Sequence, residues 1–189
     1  MNNFGVRELA RAYNCAKSFA RALSISAIVL ATLFSAFGYA DNASDAAKDP
    51  AYLQMKRLVG GVWHTKVGNT TAESRWTYGP DGVTLIGETI VGPDSKTPFH
   101  MNARFGWDPK TKQMYYLDAH GLDTVYFGHG KVDGNDVVLS FKGLVGDPGS
   151  YIFRTNYTSE DSYHAVLYDD VNGKQGKAEE TFDWVRSKD

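Results

Sequence analysis

A chain of 189 residues with a net charge of −2 has room for one domain with a proper core. Its only cysteine, Cys15, lies near the amino end, so the rest of the chain has no disulfide and no Cys-based metal site. Residues 1–40 carry four basic groups and one acid. Without that +3 the remainder stands at −5, which argues against nucleic acid or an anionic membrane surface as partner.

In chain order, a basic leader (Arg7, Arg11, Lys17, Arg21) precedes an uncharged run from Ala22 to Phe37, and Gly38-Tyr39-Ala40 then places small residues where a signal peptidase cuts. That order predicts an export signal over 1–40, a periplasmic or secreted protein, and no stable membrane anchor after cleavage. The apolar run is short for a spanning helix, which needs roughly 20 residues. Residues 41–49 are small and polar and read as a flexible linker to a domain over 50–189. Pro50 opens a short amphipathic helix with Tyr52, Met55, Leu58 and Val59 on one face, and Gly60-Gly61 stops it.

From Gly61 onward the rhythm changes to ten short β-rich runs: 62–67, 71–78, 83–91, 99–107, 113–118, 124–129, 136–142, 150–158, 162–169 and 178–186. Turn residues separate them, among them Gly79-Pro80-Asp81-Gly82, Asp108-Pro109-Lys110 and Asn172-Gly173. No interval holds a crossover helix, so successive strands are antiparallel neighbours. An open ten-stranded sheet leaves two exposed edges, and closure removes both. The predicted fold is therefore an all-β, antiparallel up-and-down barrel of about ten strands with a short N-terminal helix. Alternation supports one buried face: Phe99, Met101, Ala103, Phe105 and Trp107 oppose His100, Asn102, Arg104 and Gly106.

The sequence Gly61-Val62-Trp63 entering the first strand, with Phe182-Asp183-Trp184-Val185-Arg186 closing the last, resembles the calycins, the superfamily of lipocalins, fatty-acid-binding proteins and nitrobindin-like barrels. The hairpin Phe105-Gly106-Trp107-Asp108-Pro109 followed by Tyr115-Tyr116 is similar to that of bacterial lipocalin-like domains of unassigned function. The resemblance spans residues 50–189. It implies a cup for small apolar or amphipathic molecules, and it implies that Trp63 and Arg186 close one end of the barrel as structural residues. Nitrobindin-like barrels bind haem through an axial histidine near the last strands. Here the final strand has none, and His164 is the nearby candidate.

No motif for covalent catalysis, phosphate binding or metal binding stands out: there is no Gly-x-Ser-x-Gly, no helix to carry paired metal ligands, and the glycine-rich pieces are turns. Of the five histidines, His64 and His100 read as outward, His120 as a loop residue near a rim, and His129, sharing a face with Val125 and Phe127, as inward. Glu88 lies between Ile86 and Ile90 at strand spacing, with either side of the wall open to it.

Inward parity selects Trp76, Tyr78, Met101, Phe105, Phe127, His129, Phe153 and Tyr157 as the lining of a cup, with His129 orienting a polar head group. The leading expectation is an exported barrel that binds a small hydrophobic or amphipathic molecule, with no cofactor and no defined catalytic motif. The alternatives are an isomerase or hydratase using His129 opposite Glu88, an envelope protein with a filled barrel and, as a minor one, haem binding.

Overall fold

The structure, a computed structural model, describes residues 45–187; the predicted export signal lies outside the described residues. A six-residue helix, α1 (Pro50–Met55), runs into a 3₁₀ turn (Lys56–Leu58). Ten strands follow: β1 (Val62–Val67), β2 (Thr70–Tyr78), β3 (Leu85–Val91), β4 (Phe99–Asp108), β5 (Gln113–His120), β6 (Thr124–Asp133), β7 (Asp136–Val145), β8 (Ser150–Ser159), β9 (Ser162–Val171) and β10 (Lys174–Ser187). Each pairs antiparallel with its chain neighbours, and β1 pairs with β10, so the sheet closes into the predicted barrel. The hairpins use the expected turn chemistry. At β9–β10, for instance, Asn172 (φ 57°) and Gly173 (φ 78°) both adopt the left-handed backbone that a two-residue turn needs.

One end of the barrel is sealed by α1. A helix this short has no stability of its own. Asp49 caps it, accepting from the Tyr52 N–H at 2.7 Å, and Pro50 occupies its first turn. Its buried face, Ala51, Tyr52 and Met55, lies against β4, β6 and β7. The Tyr52 hydroxyl donates to the Val83 carbonyl, and burial pushes that phenol up to about 12. The last residues of the sequence read as a linker form a turn, with Lys48 and Asp49 N–H groups bonded to the Asp45 and Ala46 carbonyls.

The seam between β1 and β10 is short: Val62, Trp63 and His64 face Ser187, Arg186 and Val185. Arg186 reinforces it with most of its donors. Nη1 reaches the Arg57 carbonyl at 3.0 Å, Nη2 the Glu160 carbonyl at 2.8 Å, and Nε the Asp161 carboxylate at 2.9 Å. The guanidinium also lies 4.7 Å from the centre of the Trp63 ring, whose Nε1–H donates to the Leu58 carbonyl at 2.8 Å. One side chain thus joins the helix segment, the first strand, the β8–β9 turn and the last strand. Gly61 makes room for it. Its φ of 68° disfavours other residues, and a Cβ there would stand 2.9 Å from Arg186 Cγ.

Lysine cannot reproduce this fan of planar donors and leaves the Arg57 and Glu160 carbonyls and the Asp161 carboxylate short of a partner. Arg186→Lys is expected to lower the unfolding free energy by about 2–4 kcal/mol in urea melts. A loss under roughly 0.5 kcal/mol, the range of an ordinary surface change, would show that the seam does not rely on the guanidinium.

Candidate functional site

The inner wall changes character along the barrel axis. Toward the helix-sealed end it is packed: Trp63, Trp76, Leu85, Phe105, Met114, Leu139, Tyr163 and Trp184 are each at most 8% exposed. Rings fill this half in contact, Trp76 stacked on Phe105 at 5.1 Å and Trp63 edge-on to Tyr163 at 5.0 Å. Toward the opposite end the same face carries Val91, Phe99, Met101, Ala103, Phe153, Leu167 and Phe182, all inward by register and all only half-buried. Water therefore reaches the inner wall on that side. One half is closed core; in the other, Val91, Ala103, Phe153 and Phe182 pack against that core and keep part of their surface accessible, forming the more open half of the barrel, the cup.

A polar cluster sits in the cup. On β5 the side chains of Met114, Tyr116, Asp118 and His120 share the inner face, because Trp107, Phe105, Ala103 and Met101 of β4 face them across the ladder. Tyr116 donates its hydroxyl to Asp118 Oδ2 at 2.5 Å, and His120 Nε2 lies 2.7 Å from the same oxygen. A carboxylate accepts only, so His120 Nε2 carries the proton in this bond. The Asp118 side chain is 9% exposed, and its Oδ1 is buried with no hydrogen-bond partner. Burial, with Asp118 beside it, holds the Tyr116 phenol well above its ordinary value.

A second carboxylate arrives from the β7–β8 loop. The Gly143 N–H bonds to the Gly149 carbonyl at 2.9 Å and closes the loop around Asp147. Tyr126 and Tyr151 both donate hydroxyls to Asp147 Oδ2, at 2.9 and 2.6 Å, and the Gly149 N–H donates to Oδ1 at 2.8 Å. Burial works against the Asp147 charge, but the Tyr151 hydroxyl, the Gly149 N–H and the Tyr126 hydroxyl outweigh it, with His120 adding attraction, and the carboxyl stays below the usual range. The Tyr126 and His120 rings meet edge to face at 4.9 Å, which ties the two carboxylates into one group. On the far side Glu180 shares the inner face with Phe182 and Trp184; burial raises its carboxyl, and it has no ion-pair partner among the described residues.

The residues selected from sequence separate into four places. Met101 and Phe153 line the open cup. Trp76, Phe105 and Tyr157 face inward but belong to the packed half, where Arg57 covers the Tyr157 ring at 3.9 Å. Tyr78 ends β2 at the sealed rim, 44% exposed, with Lys56 Nζ 6.0 Å from its ring. Phe127 and His129 are on the outer wall, contrary to the expectation from sequence. Opposite them stand Leu117 and Tyr115, which alternate with the inward Tyr116 and Asp118. The inner positions of β6 are Tyr126, Gly128 and Gly130. A side chain at Gly128 would overlap the backbone of Ser140 and Phe141, and one at Gly130 would overlap Met114. At Gly128 the backbone of β7 leaves no room for a Cβ, at Gly130 the Met114 and Leu139 side chains occupy that place, and the apolar residues that alternate with them turn outward.

His129 and Glu88 do not meet. His129 Nε2 lies 3.6 Å from Asp108 Oδ2, whereas Glu88, also outward, pairs with His100 at 3.1 Å. His64 is outward as expected, bonded to Ser187. His164 is outward as well, 2.7 Å from Asp183, so it offers no axial ligand to a haem inside the barrel. His120, the inward histidine among the described residues, has its Nε2 taken by Asp118. No group of three His, Cys, Asp or Glu side chains among the described residues is placed to hold a metal ion. No protein-family model matches the chain, and a comparison with curated proteins finds no match.

Two titration outcomes follow. Asp147 has a folded-state pKa below its unfolded value of about 3.9, so its stabilisation is complete above that pH and is lost as pH falls through the lower folded value. Asp147→Asn is expected to cost about 1–2 kcal/mol at pH 7, a cost that vanishes toward pH 2 in denaturant melts. A cost independent of pH would show that the charge does not matter. Glu180 is the opposite case. Its raised pKa means that stability falls as pH rises from about 4.3 through the folded value. Glu180→Gln should therefore melt at the same or a higher temperature than the parent at pH 7, and a clear drop would assign that carboxylate a partner.

Proposed function

We propose that this protein is an exported carrier or receptor for a small amphipathic molecule, bound in the open half of the barrel. The observation that supports this most directly is the contrast along one wall: inward aromatic and aliphatic side chains buried at the sealed end, and side chains of the same kind left accessible at the other. Apolar surface held open to water in a preformed concavity gains free energy when a guest covers it, at about 25 cal/mol per Å². The polar cluster at Asp118, His120 and Asp147 fixes which way round a guest with one polar end would enter. Export rests on the basic-then-apolar leader of residues 1–40. Binding alone accounts for the arrangement, since the carboxylates and the histidine hold one another and no nucleophile stands beside them.

Two measurements test the reading. Mass spectrometry of a solvent extract of the purified protein should reveal a co-purifying small molecule, and an environment-sensitive fluorophore should titrate to saturation. Ala103 lies on the inner face of β4 between Met101 and Phe105, half-buried, beside the open space. Ala103→Phe should reduce fluorophore affinity by about tenfold or more while the protein still melts cooperatively. Unchanged affinity in a folded Ala103→Phe protein would place the fluorophore elsewhere and remove the cup reading.

A further inference from the structure

The hydrogen-bond inventory of the cup is one-sided. Every donor in the polar cluster is already committed: the Tyr116 hydroxyl and His120 Nε2–H to Asp118, and the Tyr126 and Tyr151 hydroxyls with the Gly149 N–H to Asp147. What remains toward a guest is led by acceptors: the buried, unpartnered Oδ1 of Asp118 and the remaining lone pair of Asp147, with the unpartnered Thr155 hydroxyl further along the inner wall. The charge points the same way. Asp118 and Asp147 are both carboxylates, and Glu180 adds a third on the same inner wall. Among the described residues no arginine lies on the inner face of the open half. Arg186 and Arg57 belong to the sealed end, Arg104 and Arg154 lie on the outer face, and Lys177 sits in the open rim paired with Glu179. The rings of Tyr126, Tyr151 and Phe141 pack on one another beside Asp147, with ring centres 5.7–5.9 Å apart.

A fatty acid brings another carboxylate to such a site, and a neutral alcohol brings one donor to a site with several acceptors. A primary ammonium brings three donors and a positive charge, and its carbon neighbours are attracted to the faces of the rings. We infer that the guest is a protonated amine on an apolar body, its ammonium held by Asp118 Oδ1 and Asp147, and its apolar part against Met101, Phe153, Leu167 and Phe182. This deepens the carrier reading and rests on it.

The test is a matched series on the full domain at pH 7 by calorimetry: octylammonium, octanol and octanoate, which share a tail and differ at the head. Octylammonium is expected to bind at least about tenfold tighter than octanol, with octanoate weakest. Asp118→Asn and Asp147→Asn, each checked for cooperative melting, should bring the ratio of octylammonium to octanol affinity toward one. Should one variant fail to fold, the other and the parent series still decide. If octanol or octanoate binds as tightly as octylammonium, the ammonium assignment is wrong and the cup stands. If none of the three binds while the fluorophore does, the assignment is again wrong. If neither the series nor the fluorophore binds, the carrier reading fails with it.

Discussion

The barrel depends on a three-residue seam. Nine of its ten strand pairings join neighbours in sequence, where a hairpin turn keeps the partners close. The tenth joins the two ends of the domain and gets no help from chain connectivity, so its side chains must supply what the turns supply elsewhere. Arg186 does most of this. It is a fixed planar set of donors, desolvated between an indole face and backbone carbonyls that would otherwise be orphaned by the ends of the helix and strands. With the seam shut, the sheet has no edge.

Closure also explains why one half of the interior is core and the other is not. The helix segment is tied to the seam through the Arg57 and Val59 carbonyls and the Leu58–Trp63 bond, so it lies over one mouth and shields everything beneath. Among the described residues no corresponding element crosses the other mouth; the short β7–β8 loop leans in from one side and delivers Asp147. The cup is the part of the interior that the helix does not reach.

Strand number, order and direction were legible in the sequence, because turn residues punctuate it evenly and because a closed sheet follows from ten neighbouring antiparallel strands. Faces were legible where large and polar residues alternate, as on β4. They were not legible on β6, where Phe127 and Val125 outrank Gly128 and Gly130 in hydrophobicity and yet point outward. A side chain's apolarity suggests burial, but the interior here is short of volume at that level, and the inner face takes the residues with no side chain at all. The Asp118–His120 pair was missed for a simpler reason. Reading β5 as ending at Asp118 puts His120 in a turn, whereas the ladder runs on to His120 opposite Met101 and aligns Tyr116, Asp118 and His120 on one face. The alternation of polar side chains with Leu117 and Ala119 was the available signal. It was easily taken for a solvent-facing row.

The seam has a temporal meaning as well. Residues 186 and 187 lie at the carboxyl end of the domain, and their partners 62 and 63 at its beginning. A chain that emerges amino end first can zip its hairpins one after another, each a local and rapid event, yet it stays an open, edge-exposed sheet until the end of β10 appears. Truncation by a few residues at the tail thus differs from truncation elsewhere on the surface: it removes the last stitch and leaves the whole ribbon free to pair with other copies. The vulnerable interval in the life of this protein is the one between the ninth strand and the tenth.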